Sequence, residues 1–207
     1  MSKSCLPIMG LVAFTDFILI KGFGTKSRWF QLHAACNLYI SCLVLQESMN
    51  LIINPRFPIS PPTNRDLYAH QLIVIMHLYH PFISRMSNMD IFHHLVFVML
   101  GTIPALYFLN TSVFSIMTLG ACGIPGFIEY TCLSLVKHDK ISAIYQKKIQ
   151  SMVSNYLRMP LALYSAALAH IDISIWSSNF KQYNKNSDEY IHFVCAGPYY
   201  IILLVYL

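Results

Sequence analysis

The chain has 207 residues, of which 56% are hydrophobic and 11% charged, with a formal net charge of +5. An ordinary soluble domain is about 25% charged, so this deficit argues against a typical soluble enzyme and for an integral membrane protein. The positive charge is thinly spread and no basic run alternates with aromatics, which argues against a nucleic-acid partner.

Seven apolar segments follow one another: residues 5–20, 29–53, 67–83, 89–109, 112–136, 152–176 and 190–207. Hydrocarbon offers no water to satisfy open backbone, so spanning segments must be helices or a closed barrel. The ten-residue alternation of a barrel is missing. The expected fold class is all-α: a polytopic transmembrane helix bundle, about seven spans around a polar central cavity. Residues 1–207 are expected to form one such domain.

In the first segment Asp16 interrupts the apolar run, and no small-x-small cleavage site follows. This favours a retained span over a signal peptide. Residues 54–66 hold four prolines and are expected to lie extended over the bundle. The third segment carries His70, His77 and His80; the fourth opens with Asp90, His93 and His94. The junction at Asn110 and Thr111 is so short that segments four and five are expected to form an antiparallel hairpin. The fifth segment contains Gly120-Ala-Cys-Gly-Ile-Pro-Gly126 and then Glu129 and Tyr130. Such a run either breaks a helix beside a binding site or lets helices pack closely through small residues. Arg158, near the start of segment six, is a partner for Glu129. Short-loop lysines and arginines number eight on one side (Lys21, Lys26, Arg28, Arg85, Lys137, Lys140, Lys147, Lys148) and five on the other (Lys3, Arg56, Arg65, Lys181, Lys185). By the positive-inside rule the N-terminus is luminal and the C-terminus cytoplasmic.

The densest polar signal is Asp90, His93 and His94 at the head of an apolar helix. Ionisable groups there cost roughly 2.5–3.5 kcal/mol each on insertion scales. Their i, i+3 and i+4 spacing puts them on one face. A histidine titrates near neutrality and suits proton transfer. His93 or His94 is therefore the candidate base or nucleophile, with Asp90 orienting it. His80 is expected close to His93 at one membrane surface. His77, His80, Glu129 and Arg158 are the candidate substrate-binding residues. The competing reading is that these histidines sit at the interface and bond headgroups or loop carbonyls. Asp16, Asn37, Gln46, Glu47 and Asp172, with the i, i+4 pair His33 and Asn37, argue for a polar interior. No HxxHH box accompanies the one HxxH (His77, His80), so no metal site is expected. The six cysteines form no CxxC pair, which argues against a disulfide framework or a zinc ribbon.

At Met89-Asp-Ile-Phe-His-His-Leu-Val-Phe-Val, the preceding histidine-bearing span and Gly123-Ile-Pro-Gly-Phe-Ile-Glu-Tyr130, the chain resembles the TLC-domain family. Ceramide synthases and translocating-chain-associating proteins belong to it. The stretch from Lys147 to Pro160 is also similar, and the resemblance extends over about residues 10–205. It implies helices around a lipid-sized cavity, usually in the endoplasmic reticulum. It also implies that His93 and His94 match the paired catalytic histidines that transfer an acyl group from acyl-coenzyme A to a sphingoid amine. Ceramide synthases carry a further His-Asp in the next spans, where this chain offers Glu129 and no His-Asp pair. The expected function is lipid binding of TLC type, with acyl-coenzyme A as a substrate and no bound cofactor. The expected partners are membrane lipids and either a homodimer or a larger membrane complex. Two alternatives are a non-enzymatic membrane subunit or lipid regulator, and a proton-coupled carrier or channel.

Overall fold

A computed structural model describes residues 5–57, 59–103 and 111–183, the side chains of 173 and 176–183 excepted. All regular structure among the described residues is helical. Helix α1 (Cys5–Phe23) is almost wholly apolar, with Lys21 in its last turn, where a cation complements the helix dipole. Gly24 ends it with a left-handed φ of 75°, and its N–H donates to the Ile20 carbonyl at 2.9 Å, a glycine stop. Helix α2 (Arg28–Ile53) follows after a short turn.

Helices α3 (Asn64–Ile83) and α4 (Asn88–His93) each begin with a reciprocal capping box, Thr63 with Asp66 and Ser87 with Asp90. Each box satisfies backbone N–H groups that the first turn leaves open. Pro81 falls in the last turn of α3. The chain of α4 runs on without a break as a π-helical stretch, His94–Thr102. Helix α5 (Val113–Thr118) passes through a second π-helical stretch, Leu119–Gly123, into α6 (Ile124–Lys137). Pro125 sits in the first turn of α6, where its missing N–H costs nothing. Helix α7 (Ala143–Val153), capped by the Ser142 hydroxyl, continues through a third π-helical stretch, Ser154–Arg158, into α8 (Met159–Tyr183).

Helix α2 is the centre of the packing. It contacts α1, α3, α5 and α6, while α8 lies on α5 and α7 on α6. One apolar core joins Ile8 and Val12 of α1, Leu32, Ile40 and Val44 of α2, and Leu72, Ile73 and Met76 of α3. A second joins Leu51, Ile59, Val113, Ile116 and Leu168. Asp16 lies inside the first interface, 2% exposed. It accepts from Arg28 Nε at 2.9 Å and from the Tyr79 hydroxyl at 2.9 Å, so one carboxylate ties α1, α2 and α3. Asp172 accepts from the Ile59 N–H at 2.8 Å and Gln46 from Arg65 at 3.0 Å.

Among the described residues three helices are long and apolar enough to cross a membrane: Cys5–Phe23, Arg28–Ile53 and Val113–Lys137. Their outward side chains include Leu6, Met9, Phe14, Phe17 and Ile18 of α1, all more than half exposed. Such a face suits an apolar solvent. Three histidines lower the apolar character of α3. The fourth segment runs past Thr102 into residues 104–110, so its expected hairpin with the fifth lies outside the described residues. So does the seventh segment, 190–207.

Candidate functional site

The α3–α4 turn folds two histidine-bearing helices onto each other. His77 and His80, three apart on α3, meet His93 and His94 at the junction of α4 with the π-helical stretch. His77 Nε2 lies 3.2 Å from His93 Nε2, and His80 Nδ1 lies 3.1 Å from His94 Nε2. The sequence expectation placed His80 beside His93. The observed pairing crosses one position over, His77 with His93 and His80 with His94. His77 Nδ1 is 2.7 Å from the Ile73 carbonyl. A carbonyl only accepts, so in the neutral ring Nδ1 carries the proton and Nε2 is bare. His93 Nε2–H then donates to it. The backbone thus sets the tautomer that the whole pair inherits.

Residues of α2 and α6 wall the cluster. Trp29 stacks on His80, ring centroids 3.4 Å apart and 8° from parallel. His33 stands edge-on to His77 at 5.3 Å and stacks on Tyr130 at 4.0 Å. Trp29, His33 and Tyr130 were not among the predicted site residues. Their signal was available in part: Trp29, His33 and Asn37 recur every four residues and share one face of α2. His70, on the same helix as His77, points elsewhere. It shares a hydrogen bond with the Thr118 hydroxyl at 2.8 Å and stands edge-on to Phe114.

Asp90 takes a different place from the one its spacing predicted. Its Oδ2 accepts from the Ser87 N–H at 2.8 Å and from the Ser87 hydroxyl at 2.7 Å. The carboxylate caps α4, and the ring nitrogens of His93 and His94 find their partners on α3 instead. Glu129 and Arg158 do meet, through a two-point contact of 3.0 and 2.8 Å. Both side chains are mostly buried, 13% and 20% exposed. This fork fixes α6 to the third π-helical stretch. It adjoins the histidines through sequence: Tyr130, next to Glu129, is the residue stacked on His33. Two of the π-helical stretches meet this region, one beginning at His94 and one ending at Arg158. Such stretches are frequent at functional sites.

At the loop end of α2, Lys26 donates to Asp139 at 2.9 Å. That hydrogen bond, with the lysine charge behind it, holds the Asp139 carboxyl below its ordinary range. Both side chains are exposed, so the pair contributes little stability. Of the basic residues counted on this side, Arg28 is engaged with Asp16 and Lys26 with Asp139.

Chemically, four imidazoles in two hydrogen-bonded pairs can accept, hold and pass a proton. Among the described residues no group of three or more His, Cys, Asp or Glu is arranged to hold a metal ion. Comparison with protein-family models, curated proteins and solved structures gave no match.

Proposed function

We propose that the chain is an integral membrane protein of TLC type, a bundle of about seven spans around a polar central cavity that binds a long-chain lipid. The histidine cluster is its working site. The observation that carries this reading is the convergence of His77, His80, His93 and His94 from two helices, with Trp29 stacked over one end. Buried polar groups in an apolar protein are expensive. Four gathered at one point, His77 and His80 buried and His93 and His94 half-buried, fit a site better than four scattered interfacial anchors do.

Within this reading His93 or His94 acts as base or acyl acceptor in transfer from acyl-coenzyme A to a lipid amine. Either an imidazole nitrogen attacks the thioester carbonyl, breaking the C–S bond and releasing the coenzyme A thiolate before the amine displaces the imidazole, or it takes the amine's proton as the amine attacks the thioester directly. In both the thiolate leaves and the amine's proton ends on it. The imidazole's neighbour on α3, held by the backbone in one tautomer, receives or returns that proton. His77 and His80 are thus partners of the reacting pair, and the Glu129–Arg158 fork braces the substrate side. The endoplasmic reticulum accompanies the family reading, and a luminal N-terminus follows the loop lysine and arginine count. Proteoliposomes supplied with a long-chain acyl-coenzyme A and a sphingoid amine test it. The expected result is an amide product lost in the His93→Ala/His94→Ala variant. No product above empty vesicles refutes acyl transfer and leaves lipid binding without catalysis.

A second reading is a non-enzymatic subunit or lipid regulator in a larger membrane assembly. It is favoured by the broad apolar exposure of α1, where Leu6, Phe14 and Phe23 are each above 60% exposed, a surface that a neighbouring subunit covers as well as lipid does.

A further inference from the structure

The α1–α2, α3–α4 and α6–α7 turns come together at one end of the bundle. Lys26 bonds Asp139, and the Ser27 hydroxyl meets the Ser134 hydroxyl at 2.7 Å and His138 Nε2 at 3.0 Å, so the first of these turns lies on the third. Trp29, stacked on His80, brings the second beside the first. The acids at this end are already engaged: Asp16 holds Arg28, Asp90 holds Ser87 and Asp139 holds Lys26. Lys21, Arg85, Lys137, Lys140, Lys147 and Lys148 are exposed and form no ion pair among the described residues. Lys21 stands over the Phe17 ring and Lys147 bonds the Gln150 carbonyl oxygen; neither partner carries charge.

Four of these charges lie at one level. The turn after α6 folds α7 back along it, and the Glu129–Arg158 fork fixes the register of the hairpin. Lys137 stands eight residues from Glu129, about 12 Å along the helix. Lys148 and Lys147 stand ten and eleven residues from Arg158, about 15–17 Å. Lys140 lies in the turn between them. The same level borders an apolar surface. Ile144, Lys148 and Met152 recur every four residues on one face of α7, and all three are exposed. Phe17 and Lys21 repeat that spacing on α1, and Arg85 follows Phe82, which is 84% exposed. Apolar side chains on one side of a charge and open loop on the other mark the depth at which lysine stems run along hydrocarbon and their ammonium groups reach the headgroups.

We propose that this end of the bundle is a binding surface for anionic phospholipid headgroups, centred on the α6–α7 hairpin with Lys137, Lys140, Lys147 and Lys148. It rests on the membrane reading and not on acyl transfer. Like charges gathered without acids repel one another, and a layer of anionic headgroups relieves that repulsion. Phosphate oxygens accept charge-assisted hydrogen bonds from the ammonium groups. Lysine is a compact charge on a flexible stem, with no fixed fork to satisfy. Such a surface suits headgroups that exchange within a fluid leaflet better than one ligand locked in a single pose. The histidine cluster takes no part in it.

The test is electron paramagnetic resonance of spin-labelled lipids around the full chain in phosphatidylcholine bilayers, which reads the share of each lipid held at the protein surface. Labelled phosphatidylserine is expected to be held about fivefold better than labelled phosphatidylcholine, the preference shrinking as salt is raised. Lys137→Gln/Lys140→Gln/Lys147→Gln/Lys148→Gln is expected to bring the two lipids level. Should that variant not fold, Lys140→Gln/Lys148→Gln is expected to cut the preference about twofold. Arg56→Gln, in the turn between α2 and α3 at the other end, is expected to leave it unchanged. Equal holding of the two lipids by the wild type overturns the proposal. So does a preference that the lysine variants keep, or one that Arg56→Gln removes equally, because net charge and not this surface would then set it. Loss of the preference on adding coenzyme A at constant ionic strength overturns it too, since the surface would then be a site for a soluble phosphate. A chain that fails to insert holds neither lipid, which overturns the membrane reading along with this one. None of these readouts involves acyl transfer.

Discussion

Replacing Asp16 with leucine leaves the Arg28 guanidinium and the Tyr79 hydroxyl facing an apolar side chain in the α1–α2–α3 interface. Breaking a buried ion pair from one side typically costs about 3–5 kcal/mol, because the other charge stays behind uncompensated. The two partners are unequally buried: the Arg28 side chain is 28% exposed and that of Asp16 3%. Arg28 keeps some contact with its surroundings, so Asp16→Leu belongs at the low end, about 3 kcal/mol. Arg28→Met strands the enclosed carboxylate and belongs at the high end, about 4–5 kcal/mol. The double variant removes both charges and leaves only the Tyr79 hydroxyl short of an acceptor, a cost of about 1 kcal/mol. Unfolding in mixed micelles of the four proteins completes a double-mutant cycle. The single variants are expected to lower the folding equilibrium constant roughly a hundredfold or more, at a factor of ten per 1.4 kcal/mol, and the double variant far less than either. Additive losses, or single losses below about 0.5 kcal/mol, would refute the claim that this carboxylate holds the three helices together.

Gly126→Ala pushes a methyl into the Asn37 amide and is expected to cost about 1–3 kcal/mol, relieved by Asn37→Ala; Gly10→Ala, with nothing within 4 Å, is expected to be neutral or to gain about 0.5 kcal/mol. The same micelle unfolding checks both. Lys26 holds the Asp139 carboxyl below its ordinary range. A depressed carboxyl stabilises above its unfolded pKa and loses that contribution as pH falls through the folded one. Carbon-detected NMR titration should therefore place the Asp139 midpoint lower in the native protein than in Lys26→Met; equal midpoints contradict the pairing. Ser87→Ala removes one half of the α4 capping box and is expected to cost about 1 kcal/mol, with the His93 and His94 ring signals shifting as α4 frays.

Helical class was readable from the chain because composition and apolar run length are local quantities. The Glu129–Arg158 pair was readable as well: two opposite charges in otherwise apolar segments have few other places to go. The histidines were found as a group, but their pairing was not. The i, i+3, i+4 spacing says that Asp90, His93 and His94 share a face, and it cannot say that a serine three residues earlier already holds the carboxylate. Ser87-x-x-Asp90 is itself a capping signature, as is Thr63-x-x-Asp66, so this correction was latent in the sequence. Which ring of α3 each of His93 and His94 reaches depends on how the two helices meet across the α3–α4 turn, which no 3.6-residue periodicity conveys. The roles of Trp29 and Tyr130 depend on α2 and α6 lying side by side, a tertiary fact with no local signature.

Native mass spectrometry of the protein extracted gently from its own membrane, with identification of whatever lipid remains bound, tests the central claim most directly. The account predicts a monomer or homodimer that retains a stoichiometric acyl lipid, lost in His93→Ala/His94→Ala and kept in Gly10→Ala. Recovery only as one subunit of a heteromeric complex, with the histidine variant assembling normally and no lipid lost, would contradict it and make the cluster a structural feature of an assembly subunit.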